Sequence, residues 1–190
     1  DDYIDNIAQN YSDDVIDIQY HIELPGLDPM NMDNPADPSS RELYYGIFNS
    51  GRGVLDGNVF NGPSGSFDNI LIQKRKLVDP DFNISLKANI KTGTSINVEP
   101  TITARDTMLN RDIAVHILIL EKEITALTGA FGDKNFKSVL KQMVPDARGT
   151  KFERDWYPND SATFYAGWEF SNVYDQSQFR AVVYIQDNIT

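Results

Sequence analysis

Phe82-Asn83-Ile84-Ser85-Leu86-Lys87-Ala88-Asn89-Ile90-Lys91 sets an apolar residue at every even position and a polar one at every odd position. Side chains of an extended chain point alternately to opposite faces, so this decapeptide reads as a β-strand with one wet face. The next residues, Lys91-Thr92-Gly93-Thr94, have the composition of a hairpin turn, and Ile96, Val98, Ile102 and Ala104 resume the alternation on a returning strand. Pro100 has no N–H to give to a ladder, which implies an edge or a bulge there. Four more β-prone runs follow at 113–124, 138–144, 161–170 and 178–186. Strands at this spacing, separated by polar turns, predict an antiparallel β-sandwich of Ig-like type over residues 80–190. Phe164, Ala166, Trp168 and Phe170 share one face of their run, as do Ala181, Val183 and Ile185 of theirs, and both sets are read as core.

Upstream of Asp79-Pro80 the period changes from two to that of a helix, and the boundary between residues 1–79 and 80–190 is placed there. Ile4, Ile7, Ala8 and Tyr11 fall on one helical face, and Ser12-Asp13-Asp14 ends that helix. Residues 15–21 are compact and β-prone, enough for one buried strand. A loop rich in Pro, Asp and Asn runs from residue 25 to 40, and Ser39-x-x-Glu42 has capping-box spacing for a helix closed at Gly46. Residues 53–57 resemble a short strand with a tight turn, 58–67 a loop, and 68–78 a helix with Ile70, Leu71, Lys74 and Leu77 on one face. The fold class expected is α+β: an α/β segment followed by the sandwich.

The composition excludes several classes of function. A chain of 190 residues with 41% hydrophobic and 11% aromatic residues can bury a core without a metal or disulfide staple, and it has no Cys to form one. The net charge is −11, and residues 1–40 hold ten Asp or Glu and no Lys or Arg. Binding a phosphate backbone requires clustered cations, so no nucleic acid is expected as partner, and an anionic membrane surface is disfavoured for the same reason. The longest apolar runs, such as 117–120, are far short of a membrane span, so no transmembrane segment is expected. The first residues show neither an initiator Met nor a signal-peptide pattern, and the reading is that the true start lies upstream of Asp1.

Residues able to carry chemistry are few. His21 and His116 are the only histidines, and His116, between Val115 and Ile117, reads as structural. His21 ends a strand beside the acidic loop, where it could serve as a base, but no G-x-S-x-G or comparable nucleophile context accompanies it. Asp28, Asn31, Asp33, Asn34 and Asp37 make the one oxygen-rich cluster, and Asp28, Asp33 and Asp37 are the candidate ligands for calcium. Their spacing is not that of an EF-hand, and turn or capping duty accounts for most of them. The loops at 56–58 and 62–65 lack the Lys-Ser/Thr of a P-loop, and Glu121, Glu123 and Asp160 are not paired by sequence.

Several phrases point to a family. Tyr20-His21, Asn34-Pro35-Ala36-Asp37, Arg41-Glu42-Leu43-Tyr44-Tyr45-Gly46-Ile47 and Val54-Leu55-Asp56-Gly57 are four of them. Val139-Leu140-Lys141-Gln142-Met143-Val144-Pro145-Asp146, Gly149-Thr150 and Ala181-Val182-Val183-Tyr184-Ile185-Gln186-Asp187 complete the set. Together they resemble a family of Bacteroidetes secreted proteins, named after a twenty-eight-kilodalton outer-membrane protein, that join a thioredoxin-like domain to a β-sandwich. The resemblance implies that residues 1–79 are a thioredoxin-like segment whose front strand and Cys motif precede Asp1. Gly51 then matches the position of the thioredoxin cis-proline, and no Pro occurs between Ser39 and Phe60, which weighs against redox chemistry. The implied function is a non-catalytic accessory or binding protein, secreted or at the cell surface, of an outer-membrane or type IX secretion-linked system with a protein partner. The resemblance also implies a C-terminal sorting domain for the type IX secretion system, of which no part is expected within residues 1–190. The alternatives are a thiol–disulfide oxidoreductase with an upstream Cys pair, or a lipoprotein subunit of an outer-membrane uptake complex. The residues do not specify an oligomeric state.

Overall fold

A computed structural model describes residues 2–23, 26–91, 93–129 and 132–188. The first part holds α1 (Asp2–Asn10), α2 (Pro29–Asp33), α3 (Ala36–Tyr45), a hairpin of β1 (Arg52–Leu55) and β2 (Phe60–Pro63), and α4 (Asn69–Arg75). The strands that follow are β3 (Phe82–Lys91), β4 (Ser95–Ala104), β5 (Ile113–Ile124), β6 (Phe136–Val144), β7 (Thr150–Phe152), β8 (Ser161–Thr163), β9 (Ala166–Glu169) and β10 (Phe179–Asp187). The protein is therefore mixed, with its α-helices ahead of residue 76 and its named strand ladders antiparallel. No described helix is long and apolar enough to cross a membrane.

Alternation in the sequence becomes two facing sheets. In one, β3 pairs with β4 in the register Ile84↔Ile102, Ala88↔Val98 and Ile90↔Ile96, while β8 and β9 share the other edge of β4. The turn expected at 91–94 joins β3 to β4, although Thr92 lies outside the described residues. Pro100 explains the break between β8 and β9. Lacking an N–H, it only accepts, from Phe164 N–H at 3.2 Å, and the neighbouring chain leaves the ladder at 164–165. The other sheet runs β10-β5-β6, with β7 against the start of β5. Ile96, Val98, Ile102 and Ala104 of the first sheet meet Ile113, Val115, Ile117, Ile119 and Val144 of the second, with Phe164, Ala166, Trp168, Phe170, Ala181, Val183 and Ile185 packed around them. Each such large apolar side chain, when fully buried, contributes roughly 1.5–3 kcal/mol.

The second sheet is covered on its other face as well. Leu118, Leu120, Leu140, Met143 and Val182, with Tyr184 of the same sheet, pack against Ile18 and Tyr20. Burial on both sides explains why nine consecutive residues of β5, from Ile113 to Glu121, are buried. Residues 15–21, expected as a strand, instead lie extended over β6 with a single bridge: Gln19 N–H donates to Ser138 O at 2.9 Å and Leu140 N–H to Gln19 O at 3.0 Å. Ser138 has a φ of +49° and β6 shifts register against β5, so the edge that Gln19 meets is irregular.

Two helix readings also need correction. α3 starts at Ala36 rather than near Ser39, because Pro35 presets its first turn and Asn34 and Asp37 form the reciprocal cap. Asp37 N–H donates to Asn34 Oδ1 at 3.3 Å, and Asn34 Nδ2 to Asp37 Oδ2 at 2.8 Å. Gly46, at φ +63°, closes the helix as expected. In α4 the buried residue is Ile72, packed with Ile7 and Phe67, whereas Ile70 and, beyond the helix end, Leu77 face solvent. The loop expected at 58–67 contains β2, which pairs with β1.

Candidate functional site

The acidic loop distributes its carboxylates among different tasks. Asp28 caps α2, accepting from Met30 N–H at 2.8 Å and Asn31 N–H at 3.2 Å, and its other oxygen meets His21 Nδ1 at 2.9 Å. Burial works to raise the Asp28 carboxyl, but the His21 hydrogen bond and charge and the two backbone donors outweigh it and hold the group below its ordinary value. Asn31 Nδ2 donates to His21 O at 2.7 Å, so His21 is tied to the cap. Asp37 is buried and accepts from Met143 N–H at 2.7 Å and Gln142 Nε2 at 3.2 Å, docking α3 on β6. Asp33 turns to a third place, described below. The three candidate calcium ligands thus face separate partners, and no group of three or more acidic or His side chains suited to a metal occurs among the described residues. Gly51 lies ahead of β1 at φ +72°, accepting Ser64 N–H at 2.8 Å through its carbonyl.

The structure assembles a buried ion cluster that sequence reasoning did not assemble. Between Ile119 and Leu120 the β5–β6 register passes from Gln142 to Leu140, leaving Lys141 as the extra residue of a bulge. A bulge redirects one side chain. Here it sends Lys141, 2% exposed, beneath the N-terminal cap, where Nζ lies 2.7 Å from Asp33 Oδ2 and 3.6 Å from Glu121 Oε2. Glu121, fully buried, accepts through Oε1 from Tyr174 N–H at 3.0 Å and Asp175 N–H at 2.7 Å. Its Oε2 has no hydrogen-bond partner among the described residues. Tyr174 O–H donates to Asp33 Oδ2 at 2.8 Å, and its ring centroid is 4.7 Å from Lys141 Nζ.

Two carboxyl groups and a phenol around one ammonium make this a coupled site. Burial, opposed by the Asp175 N–H, the Lys141 charge and the Tyr174 N–H, keeps the Glu121 carboxyl above its ordinary value. Burial and the Asp33 carboxylate raise the Tyr174 phenol. A sequence signal existed, in that Lys141 interrupts the apolar run 139–144 and Glu121 ends the run 113–120. Nothing in their spacing of twenty positions says that they meet.

A second polar group lies under the same cap. Arg41, buried, has its guanidinium carbon 4.7 Å and 4.6 Å from the ring centroids of Tyr44 and Tyr45, and it donates to Tyr45 Oη and Gln186 Oε1. His116 stacks on Tyr184 with ring centroids 4.8 Å apart, as a structural residue of β5.

The outer edge of the sandwich differs from these closed sites. Beyond Phe82, every residue of β3 is exposed, and Ile84, Leu86 and Ile90 keep 40%, 37% and 41% of their surface in water. They share the face of Ile96, Val98 and Ile102, yet remain exposed although β10 of the opposing sheet approaches part of β3. Lys87, bonded to Glu99 at 3.2 Å, and Lys91 stand on the opposite face.

Comparison with protein-family models, with curated proteins and with solved structures finds no match to this chain.

Proposed function

We propose that the chain is a non-catalytic accessory or binding protein, secreted or at the cell surface, in a Bacteroidetes outer-membrane or type IX secretion-linked system. In this reading an Ig-like sandwich carries a reduced thioredoxin-like cap, and the protein partner adds a strand to β3. The localisation and the thioredoxin-like reading rest on the resemblance of the quoted phrases, and the Ig-like reading on the spacing of the strands. The binding role rests on one observation: a ten-residue edge strand with an apolar row left in water. Unpaired N–H and C=O groups along such an edge are a template for another chain, and a buried row beside them adds affinity. The occupant is an extended protein segment alternating apolar with acidic residues. Its apolar side chains would cover Ile84, Leu86 and Ile90, while its carboxylates would face Lys87 and Lys91.

A labelled synthetic decapeptide of alternating Val and Asp tests this by fluorescence anisotropy. Saturable binding that weakens with salt and falls at least tenfold in Leu86→Glu is expected. Absence of binding, binding that Leu86→Glu leaves unchanged, or a dimer of the chain through β3 in sedimentation would overturn the reading.

A further inference from the structure

We propose that Lys141 and Asp33 become joined by an intramolecular isopeptide bond, with Glu121 as the proton carrier. The inference stands on the geometry of the buried cluster and is independent of any partner on β3.

The reacting atoms are already adjacent. Lys141 Nζ lies 2.7 Å from Asp33 Oδ2, and the two side chains come from elements fixed on opposite sides of the contact, the bulge of β6 and the end of α2. Reactants held in that way gain a large effective concentration over the same groups free in water. The Lys141 side chain keeps 1% of its surface in solvent, Glu121 none and Asp33 15%, so the water that would favour hydrolysis is largely excluded. Two charges buried as a pair cost free energy through lost hydration, and an amide removes both.

Each proton has a place to go. Across the 2.7 Å contact the ammonium passes a proton to the Asp33 carboxylate, leaving a neutral amine and a carboxylic acid. The amine lone pair attacks Cγ, forming the C–N bond and placing the charge on Oδ1, while the Tyr174 hydroxyl, 2.8 Å from Oδ2, holds the oxygen that departs as hydroxyl. Glu121, whose carboxyl burial favours in the protonated form, gives its proton to the departing hydroxyl and takes one from the nitrogen through Oε2. The C–O bond breaks, one water leaves, and Glu121 returns to its starting state. Its other oxygen, anchored by the Tyr174 and Asp175 N–H groups, holds the carboxyl in place throughout.

The test is the intact mass of the folded chain, followed by peptide mapping. The chain is expected to be lighter than its sequence mass by one water, with the Asp33 and Lys141 peptides recovered as a branched pair. Lys141→Ala and Glu121→Gln are each expected to keep the full mass. A wild-type chain at full sequence mass after prolonged incubation at neutral pH would overturn the proposal, without any variant having to fold. So would loss of water that survives in Lys141→Ala, since that marks a cyclised aspartate, and so would unchanged bond formation in Glu121→Gln.

Discussion

His116 illustrates what burial does to a titrating residue. It sits 2% exposed on β5 against Tyr184, and neither ring nitrogen has a hydrogen-bond partner among the described residues. Burial first and the Arg41 charge second pull its pKa down to about 4, against a weaker opposing pull from Asp146. The folded state therefore resists a proton that the unfolded chain accepts below its ordinary value of 6.5. The contribution to stability is complete above that value and is lost as pH falls toward the folded pKa of about 4, a change of roughly 3 kcal/mol. His116→Phe keeps the stack on Tyr184 and should flatten the acid side of the melting-temperature profile between those two values. A profile as steep as that of the wild type would place the acid sensitivity elsewhere. Gly149 shows why the neighbourhood is so tight: at φ +71°, a Cβ added there would lie 2.7 Å from Val115 O and 2.9 Å from His116 Nδ1.

At the scale of elements, the two long strands β3 and β5 differ in cover more than in length. Leu118 on β5 is fully buried, so Leu118→Ala should cost about 3 kcal/mol in chemical denaturation. Leu86 on β3 is already 37% exposed, and Leu86→Ala should cost less than about 1 kcal/mol. Equal losses at the two sites would mean that β3 is covered in solution. Alternation made both ends of β3 and the returning β4 legible in the sequence, because the period of two depends only on the backbone. It could not tell that the apolar row of β3 stays exposed, since a pattern identifies a face and not what lies above it. Residues 15–21 have strand composition but meet an irregular edge, and their single bridge adjoins Ser138, more than a hundred residues away. The candidate site was hidden for a related reason. Asp33 was legible as one of a group of oxygen ligands, yet its partners Lys141, Glu121 and Tyr174 come together only through the β6 bulge and the segment ahead of β10.

Over the whole molecule, the N-terminal segment acts as a third layer. Tyr20 and Ile18 cover the outer face of the β10-β5-β6 sheet, and Asp33, Asp37 and Arg41 bond to β6 and β10. A chain of residues 80–190 alone would present Leu118, Leu120, Leu140, Met143 and Val182 to water, an apolar area of the kind that drives association. It should bind a hydrophobic dye and sediment as oligomers, while the full chain does neither. A monomeric, dye-silent fragment would show that the cap is dispensable. The pairing of β5 with β10 carries a further consequence for biogenesis. One edge of the central strand is paired by β6, but the other acquires β10 only from residues 179–187, so a chain emerging from a ribosome cannot complete this sheet until that strand is free. β5 thereby waits half-paired while the residues between it and β10 are made.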